Sequence, residues 1–223
     1  MTFSIVGRCG RTGQFGMAIA SSSPAVAARC LHLRAGTGAA ASQNVTDPAL
    51  GPLMLDAMAR GATAEAAVAE VARGRAHIGF RQLMAIGRAE QAAIRSGTGM
   101  LGIWAGAAGR ECAAAGNLLA HDGVPGAMVA AFAATGGMLG ERLMAALEAG
   151  LAAGGEAGPV RSAGIGVVGD LPWRIVDLRI DWAEAPIAML RTAWDVYHPQ
   201  IDDYIRRAED PTAAPSYGVP GDE

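Results

Sequence analysis

The chain has 223 residues, of which 51% are apolar and 17% charged, and its formal net charge is −3. This length and apolar content are enough for one domain with a well-buried core. The small negative charge, without any run of basic residues, argues against nucleic acid as a partner. No apolar run is long enough to cross a bilayer, and the N-terminus lacks the pattern of a secretion signal, so we expect a cytoplasmic protein that does not bind membranes.

The cysteine and histidine residues form neither a recognisable metal site nor a disulfide framework. Cys9, Cys30 and Cys112 are odd in number and widely spaced, which favours buried, reduced thiols. The chain has no C-x-x-C motif, and its four histidines lack paired metal-ligand spacing. We therefore predict no metal and no cofactor. All eighteen basic residues are arginine, which excludes any mechanism that needs a lysine.

The first part of the chain predicts two pairs of strands. Residues 2–8 are rich in β-branched and aromatic side chains, and the turn-rich CGRTGQ separates them from FGMAIAS at 15–21. These two segments predict a hairpin. Residues 25–34 and 38–45 predict a second extended pair.

Two helices are predicted next. Asp47 before Pro48 marks a helix start, because Asp accepts the orphan amide hydrogens and Pro fits the first turn. Apolar residues then recur at helical spacing until Gly61. Thr63 begins a second helix that continues to about Arg73. The pair is expected to cover one face of a sheet.

The second half of the chain alternates between strands and helices in the same way. Extended segments are predicted over residues 81–88, 91–97, 109–117, 162–169 and 173–180. Helices are predicted from Pro125 to about residue 135, from Met138 to about residue 152, and from Pro186 to Tyr197. GGEAG at 154–158 has the composition of a flexible, exposed turn, and residues 211–223 that of a flexible tail.

This order of elements favours antiparallel sheets with helices on the outside, because the strands come as hairpins and the helices as pairs. No G-x-G-x-x-G motif joins a strand to a helix, so dinucleotide binding is not supported. We predict an α+β fold, a four-layer αββα sandwich of two antiparallel sheets. Residues 1–210 would form this single domain, and residues 211–223 the tail.

Thr2 is the first candidate catalytic residue. It follows Met1 in a context in which an initiator methionine is normally removed, and removal would give Thr2 a free α-amine beside its hydroxyl. A neutral α-amine, with a reference pKa of about 8, can take the hydroxyl proton without help from His or Lys. A Thr in this position is also common merely because it permits removal of Met and suits a strand.

Two further polar stretches could contribute to a site. Gly116-Asn117 ends a strand, where a backbone amide or the Asn side chain could face a developing oxyanion, or simply form a turn. Gln43 and Asn44 lie between apolar residues and Asp47, so they could line a pocket or cap the following helix. Ser22 and Ser23 are predicted to lie in a loop after the second strand.

The sequence also resembles a known family through segments that occur in the same order. These are MTFSIVGR, TGQFGMAIAS, AGTGAAASQNVTDPALGPLMLDAMARGATAEAAV, AAAGNLLA, GERLMAALEAGLAAGGEAGPVRSAGIGVV and VDLRID. They resemble the proteins grouped as domain-of-unknown-function family 1028, from Thr2 to about residue 195. That family is similar to the N-terminal nucleophile (Ntn) hydrolases, which share the αββα sandwich and cleave amide bonds with an N-terminal Thr, Ser or Cys.

The resemblance implies roles for several residues. It makes Thr2 the nucleophile once Met1 is removed, and Gly116 and Asn117 the oxyanion-hole element. It also implies that Gln43, with its neighbour Asn44, and the Ser22-Ser23 pair contact substrate, since family members have polar or basic residues in these regions. The implied activity is hydrolysis of a C–N bond, other than a peptide bond, in a small-molecule amide.

The chain departs from the family at some of these positions. It has Ser21-Ser22-Ser23 where relatives carry His or Lys, and Ala115 where relatives carry Gln. A non-catalytic ligand-binding or scaffold protein on the same fold is therefore the alternative hypothesis. Exposed sheet edges and apolar helix pairs also make a homodimer a reasonable expectation.

Overall fold

The computed structural model is a mixed α+β structure that describes residues 1–89 and 91–222. The strands are β1 (Thr2–Arg8), β2 (Phe15–Ser21), β3 (Leu31–Arg34), β4 (Gly38–Asn44), β5 (Arg81–Ile86), β6 (Ala92–Ser96), β7 (Ala105–Gly109), β8 (Cys112–Asn117), β9 (Ser162–Val168) and β10 (Arg174–Ile180). The helices are α1 (Val26–Cys30), α2 (Leu50–Ala59), α3 (Ala64–Ala72), α4 (Val124–Ala134), α5 (Leu139–Ala152), α6 (Pro186–Tyr197) and α7 (Ile201–Glu209), with 3₁₀ turns at Ile78–Phe80 and His198–Gln200.

The strands form two antiparallel sheets. The larger has the order β10-β9-β2-β1-β8-β7, so that β1 is central and pairs with β2 on one side and β8 on the other. The smaller has the order β3-β4-β5-β6. The predicted β1–β2 hairpin is confirmed, with Phe3 opposite Ala20.

Three apolar clusters hold these elements together. One lies between the six-stranded sheet and helices α4, α5 and α6, and includes Phe3, Phe132 and Trp194. A second contains residues of both sheets, among them Met17 and Met84. A third joins the four-stranded sheet to α2 and α3. The prediction of two antiparallel sheets with helices is confirmed.

Several element boundaries differ from the predictions. The segment predicted as extended from residue 25 is helical over α1, where Ala25 adopts a left-handed backbone (φ 50°) directly after Pro24. Asp47 accepts a hydrogen bond from Ala49 N at 3.0 Å, but this forms a turn that precedes α2. Capping by Thr63 is confirmed, since its hydroxyl accepts from Ala66 N at 3.1 Å.

Two elements were absent from the predictions. Strand β7 has the sequence AGAAG, and its small residues carry no strand preference, so only pairing with β8 fixes its conformation. Helix α7 follows the 3₁₀ turn at His198–Gln200. In the predicted tail, Tyr217 lies under the guanidinium of Arg207, 3.9 Å from it. Residue 223 of that tail lies outside the described residues, and the flexibility of the tail stays a prediction.

Candidate functional site

A row of polar side chains crosses the end of the six-stranded sheet and faces the smaller sheet. Successive side chains of a strand point to opposite faces of the sheet, so residues two positions apart lie on the same face. In β1 and β8, Val6 and Ala115 belong to the cluster shared by the two sheets, so Thr2 and Asn117 point the same way. The register places Thr2 opposite Asn117, and Ser21 opposite Ser162. We call these four residues, Ser162, Ser21, Thr2 and Asn117, the polar row.

Thr2 is buried, with 5% of its surface exposed. Its hydroxyl lies 3.3 Å from Ser21 Oγ and also donates to the carbonyl oxygen of Met1. The Ser21 hydroxyl donates to the same carbonyl oxygen. Two hydroxyl groups therefore converge on the carbonyl of the Met1–Thr2 peptide bond.

Asn117 is fully buried, yet neither its Nδ2 nor its Oδ1 has a hydrogen-bond partner among the described residues. A buried amide without a partner costs about 1–3 kcal/mol, so folded proteins seldom retain one without a reason. Since Asn117 lies directly opposite Thr2, its donor group is available beside the Thr2 hydroxyl.

Gly116 allows close packing at this point. β8 lies between β1 and β7, with Gly116 in register with Phe3 and Ala105, so its backbone groups lie within the sheet ladder. Its carbonyl also accepts from Gln82 Nε2 at 3.2 Å. A methyl group at this position would lie 2.5 Å from Leu119 Cδ2 and 3.0 Å from Thr2 O. Only glycine therefore fits beside the backbone of Thr2.

Glu156 is a buried carboxylate close to the N-terminus. It is 4% exposed, it forms a β-bridge with Leu119, and no described group makes a hydrogen bond of normal geometry to either carboxylate oxygen. Burial raises its pKa to about 7, and the α-ammonium of Met1 and the hydroxyl and amide of Ser22 oppose this rise. The prediction that GGEAG is an exposed turn was wrong for Gly155 and Glu156, which are buried, although Gly154 and Ala157 are exposed. Ala120 N donates to Gly155 O and Ala157 N to Leu118 O, which fixes the segment against the end of β8.

Gln43 lies deeper between the sheets, in a network that uses its polar atoms. Ser4 Oγ donates to Gln43 Oε1 at 2.6 Å, and Gln43 Nε2 donates to Gln82 Oε1 at 2.8 Å and to Ala115 O at 3.2 Å. Gln82 Nε2 in turn reaches Ser96 Oγ at 3.0 Å. We call Ser4, Gln43, Gln82 and Ser96 the glutamine network. The structure thus places Gln43 beside the polar row with its amide already bonded.

The other predicted contact residues are divided between the two sheets. Asn44 Nδ2 donates to Phe80 O at 2.7 Å, and Asn44 Oδ1 accepts from Leu101 N at 3.3 Å, so this amide joins loops at the end of the smaller sheet. Ser23 Oγ lies 3.0 Å from Ser21 Oγ, and Ser22 is half-buried near Glu156. The serines therefore lie at the polar row, whereas Asn44 holds a neighbouring loop. A substrate-binding role for these residues stays a prediction.

A cavity of about 340 Å³ adjoins this region, a size within the range of small-molecule sites. It lies between the segment after α5 and the start of α6. Its lining includes Leu151, Glu156, Gly158, Pro159, Pro186 and Ile187. At its edge Arg161 forms an ion pair with the exposed Glu184. Within residues 1–89 and 91–222, no three His, Cys, Asp or Glu side chains are grouped as metal ligands would be.

Sequence reasoning missed two residues of this site. Ser21 could have been found by counting the hairpin register, since pairing of 3 with 20 places it beside Thr2. Glu156 gave no such signal, because its burial depends on a loop that pairs with residues 118–120, far away in the sequence.

Comparison with known proteins gives a matching family model and similar solved structures. A family model described as "Family of unknown function (DUF1028)" matches residues 2–190. The crystal structure of protein SPO2555 from Silicibacter pomeroyi, assigned to the same family model, is similar with a TM-score of 0.84 and 30% sequence identity. The match covers 92% of this chain and 90% of that one. Comparison with curated proteins finds no significant match. None of the described helices has the length and apolar character needed to cross a membrane.

Proposed function

The chain belongs to the DUF1028 family, and we propose that it is an amide hydrolase of the N-terminal nucleophile type, acting on a C–N bond of a small amide. In this proposal its two sheets and outer helices form the four-layer αββα sandwich of those enzymes. Removal of Met1 frees the α-amine of Thr2. The setting is the cytoplasm, where the buried thiols of Cys9, Cys30 and Cys112 stay reduced.

The observation that carries the proposal is the pairing of Thr2 with an unbonded Asn117. A hydroxyl at the start of β1 and a buried amide that has no partner among the described residues lie opposite each other on adjacent central strands. A nucleophile and a free donor at one buried point are the two parts that acyl transfer needs. The glycine at 116 lets Leu119 pack closely against β8, directly before Asn117.

Acylation begins when Thr2 Oγ1 attacks the carbonyl carbon of the amide. A C–O bond forms, and the hydroxyl proton passes to the neutral α-amine of Thr2, directly or through one water. Ser21, 3.3 Å from the Thr2 hydroxyl, orients it for this transfer. The chain contains no lysine, so the amine itself is the base.

The negative charge that develops on the carbonyl oxygen is stabilised by the Nδ2–H of Asn117. One such donor contributes roughly 3 kcal/mol in a site from which water is excluded. Because Asn117 has no competing partner in the described structure, its amide is free to make this bond. Gly116 allows the close packing of β8 that holds Asn117 in place, and Asn117 supplies the donor.

Collapse of the intermediate breaks the C–N bond. The leaving nitrogen takes the proton from the α-ammonium of Thr2 and departs as a neutral amine, which leaves an ester on Thr2 Oγ1. Water then adds to the ester carbonyl while the α-amine accepts its proton. Release of the carboxylic acid restores the Thr2 hydroxyl.

The test uses protein with Thr2 exposed, incubated with a panel of 4-nitroanilides of carboxylic and amino acids. We expect release of 4-nitroaniline and, after acid quenching, an acyl adduct on the N-terminal peptide by mass spectrometry. Thr2→Ser should retain turnover. Thr2→Val, which keeps the shape of the side chain and still permits removal of Met1, should lose both turnover and adduct.

Two results would contradict the proposal. One is a Thr2→Val protein that hydrolyses substrate as fast as the wild type. The other is an intact Met1 on the active protein from its native host. Ligand binding without turnover in both the wild type and Thr2→Val would instead support a binding protein on this fold.

A further inference from the structure

The Met1–Thr2 peptide bond shows how an acyl group can sit at the site. Met1 is an aminoacyl group attached to the nitrogen of Thr2, and its carbonyl oxygen accepts from the Thr2 and Ser21 hydroxyls. A substrate acyl group has to bring its carbonyl to the same hydroxyl. The remaining atoms of Met1 therefore mark the directions open to an acyl group from this point.

The Met1 side chain contacts Gly158, one of the residues that line the cavity beside α6. A methyl group added at Gly158 would lie 3.0 Å from Met1 Cε and 3.2 Å from Met1 Sδ, so the thioether rests on Gly158. Gly158 lines the cavity of about 340 Å³, together with Leu151, Pro159 and Ile187. These walls are apolar, and the lack of a side chain at Gly158 leaves space for a linear aliphatic group.

The α-ammonium of Met1 lies within electrostatic reach of Glu156. Its charge favours the ionised form of that carboxyl, lowering a pKa that burial raises. Glu156 lines the same cavity, two residues before Gly158. The hydroxyl and amide of Ser22 favour its ionised form, but neither carboxylate oxygen receives a hydrogen bond of normal geometry in the described structure. A buried carboxylate costs several kcal/mol unless a cation or donors satisfy it.

The other charges at the cavity do not satisfy this carboxylate. Arg161 is engaged in an ion pair with Glu184 on the rim. With Glu156 ionised, the three groups sum to one negative charge, which favours a cationic ligand. An ammonium group supplies both a positive charge and N–H donors that can reach the carboxylate oxygens with normal hydrogen-bond geometry.

We propose that the acyl group of the substrate is an α-amino acid with a free amine, whose ammonium binds Glu156 and whose aliphatic side chain enters the cavity lined by Gly158. The proposal rests on the function proposed above and specifies its substrate class, an α-amino acid amide. Glu156 acts in binding the substrate, while Thr2 and Asn117 act on its carbonyl.

The test compares L-methionine 4-nitroanilide with its N-acetyl derivative, which keeps the side chain and the scissile bond but loses the positive charge. Wild-type enzyme should show a kcat/KM roughly 10- to 100-fold higher for the substrate with the free amine. This ratio corresponds to the binding free energy of one hydrogen bond between charged groups. Glu156→Gln should lose this preference by slowing the free-amine substrate alone. Glu65→Gln, an exposed acid on α3, is the matched control and should change neither rate.

Two outcomes overturn the assignment while leaving the hydrolase intact. The first is equal hydrolysis of both substrates by the wild type. The second is an equal loss on both substrates in Glu156→Gln, which would mean that Glu156 acts on the enzyme's own amine or on the fold. Failure of the hydrolase proposal is seen separately, as unchanged turnover in Thr2→Val.

A binding measurement keeps the assignment testable without turnover. Thr2→Val should bind L-methioninamide in calorimetry, and the double variant Thr2→Val/Glu156→Gln should bind it roughly ten times more weakly or worse. Absence of binding to Thr2→Val, or equal affinity in the two variants, would overturn the proposal.

Discussion

The glutamine network and the pair formed by Asn117 and Glu156 are both buried and polar, but they differ in how their atoms are bonded. In the network, Gln43 and Gln82 bond to each other and to Ser4, Ser96 and strand carbonyls. The side chains of Asn117 and Glu156 make no hydrogen bond of normal geometry within residues 1–89 and 91–222. Satisfied polar groups fix how two sheets pack, whereas unsatisfied ones cost stability and remain open to a ligand.

The two regions are close together, which makes the comparison informative. Ala115, whose carbonyl accepts from Gln43, and Asn117 lie two residues apart on β8. The same strand therefore carries a structural contact and a free donor. Substitutions in the two regions are expected to separate stability from activity.

The largest effect is expected from Asn117→Ala. Loss of the oxyanion donor should lower kcat by about 10²- to 10³-fold. The free energy of unfolding should rise by about 1 kcal/mol or more, because the buried amide that is removed makes no hydrogen bond within the described residues. Steady-state kinetics and urea denaturation measure the two quantities. A loss of stability with little loss of kcat would mean that Asn117 is a structural residue and not the oxyanion donor.

Gln82→Ala should show the opposite behaviour. It removes donors to Ser96 Oγ, Ala105 O and Gly116 O and the acceptor for Gln43, so unfolding should become easier by about 3 kcal/mol. Among folded molecules kcat should fall far less than in Asn117→Ala. The urea midpoint gives the first value, and kcat scaled to the folded fraction gives the second. Equal stability of the two variants would remove the distinction between the regions.

Glu156→Gln should change how stability depends on pH in protein that retains Met1. The folded state holds the carboxyl pKa at about 7 against an ordinary 4.5, so ionisation favours unfolding. Stability from this residue is present below pH 4.5 and is lost as the pH rises through about 7. The variant should therefore be more stable at pH 8 by roughly 2 to 3 kcal/mol and nearly equal at pH 4.

Thermal or urea unfolding across this pH range checks the prediction. Glu184→Gln changes a carboxyl on the same rim whose side chain is 89% exposed, and it serves as the control. Its pH profile should parallel the wild type. A Glu156→Gln profile that also parallels the wild type would show that burial does not perturb this carboxyl.

The smallest effect is expected from Ser96→Ala. Ser96 lies at the half-buried end of the glutamine network and accepts one bond, from Gln82 Nε2 at 3.0 Å. Because Gln82 Nε2 also reaches Ala105 O and Gly116 O, the loss should be about 1 kcal/mol or less. Chemical denaturation of this variant and of Gln82→Ala, under the same conditions, measures the loss. A loss of stability as large as that of Gln82→Ala would mean that the hydrogen bond to Ser96 accounts for most of the stability that the network contributes.

The sequence predicted the elements that depend on local patterns. The β1–β2 hairpin follows from β-branched residues around a turn, and α3 begins at Thr63 because a hydroxyl there caps the helix. Thr2 and Asn117 were also identified as candidates from the sequence. The helix α1 was predicted as an extended segment. The strand β7 could not be predicted, because its sequence AGAAG has no strand preference without pairing to β8.

Residue types and periodicity by themselves determined that this chain forms two antiparallel sheets with helices, that it has no lysine, and that a threonine begins its first strand. Only the tertiary structure decided that Thr2 lies opposite an unbonded amide, that Gln43 is held in a network, and that Glu156 is buried beside the N-terminus. The physical reason is that local preferences act over a few neighbouring residues. Whether a polar atom is paired depends on strands and loops that are distant in sequence and meet only in the fold.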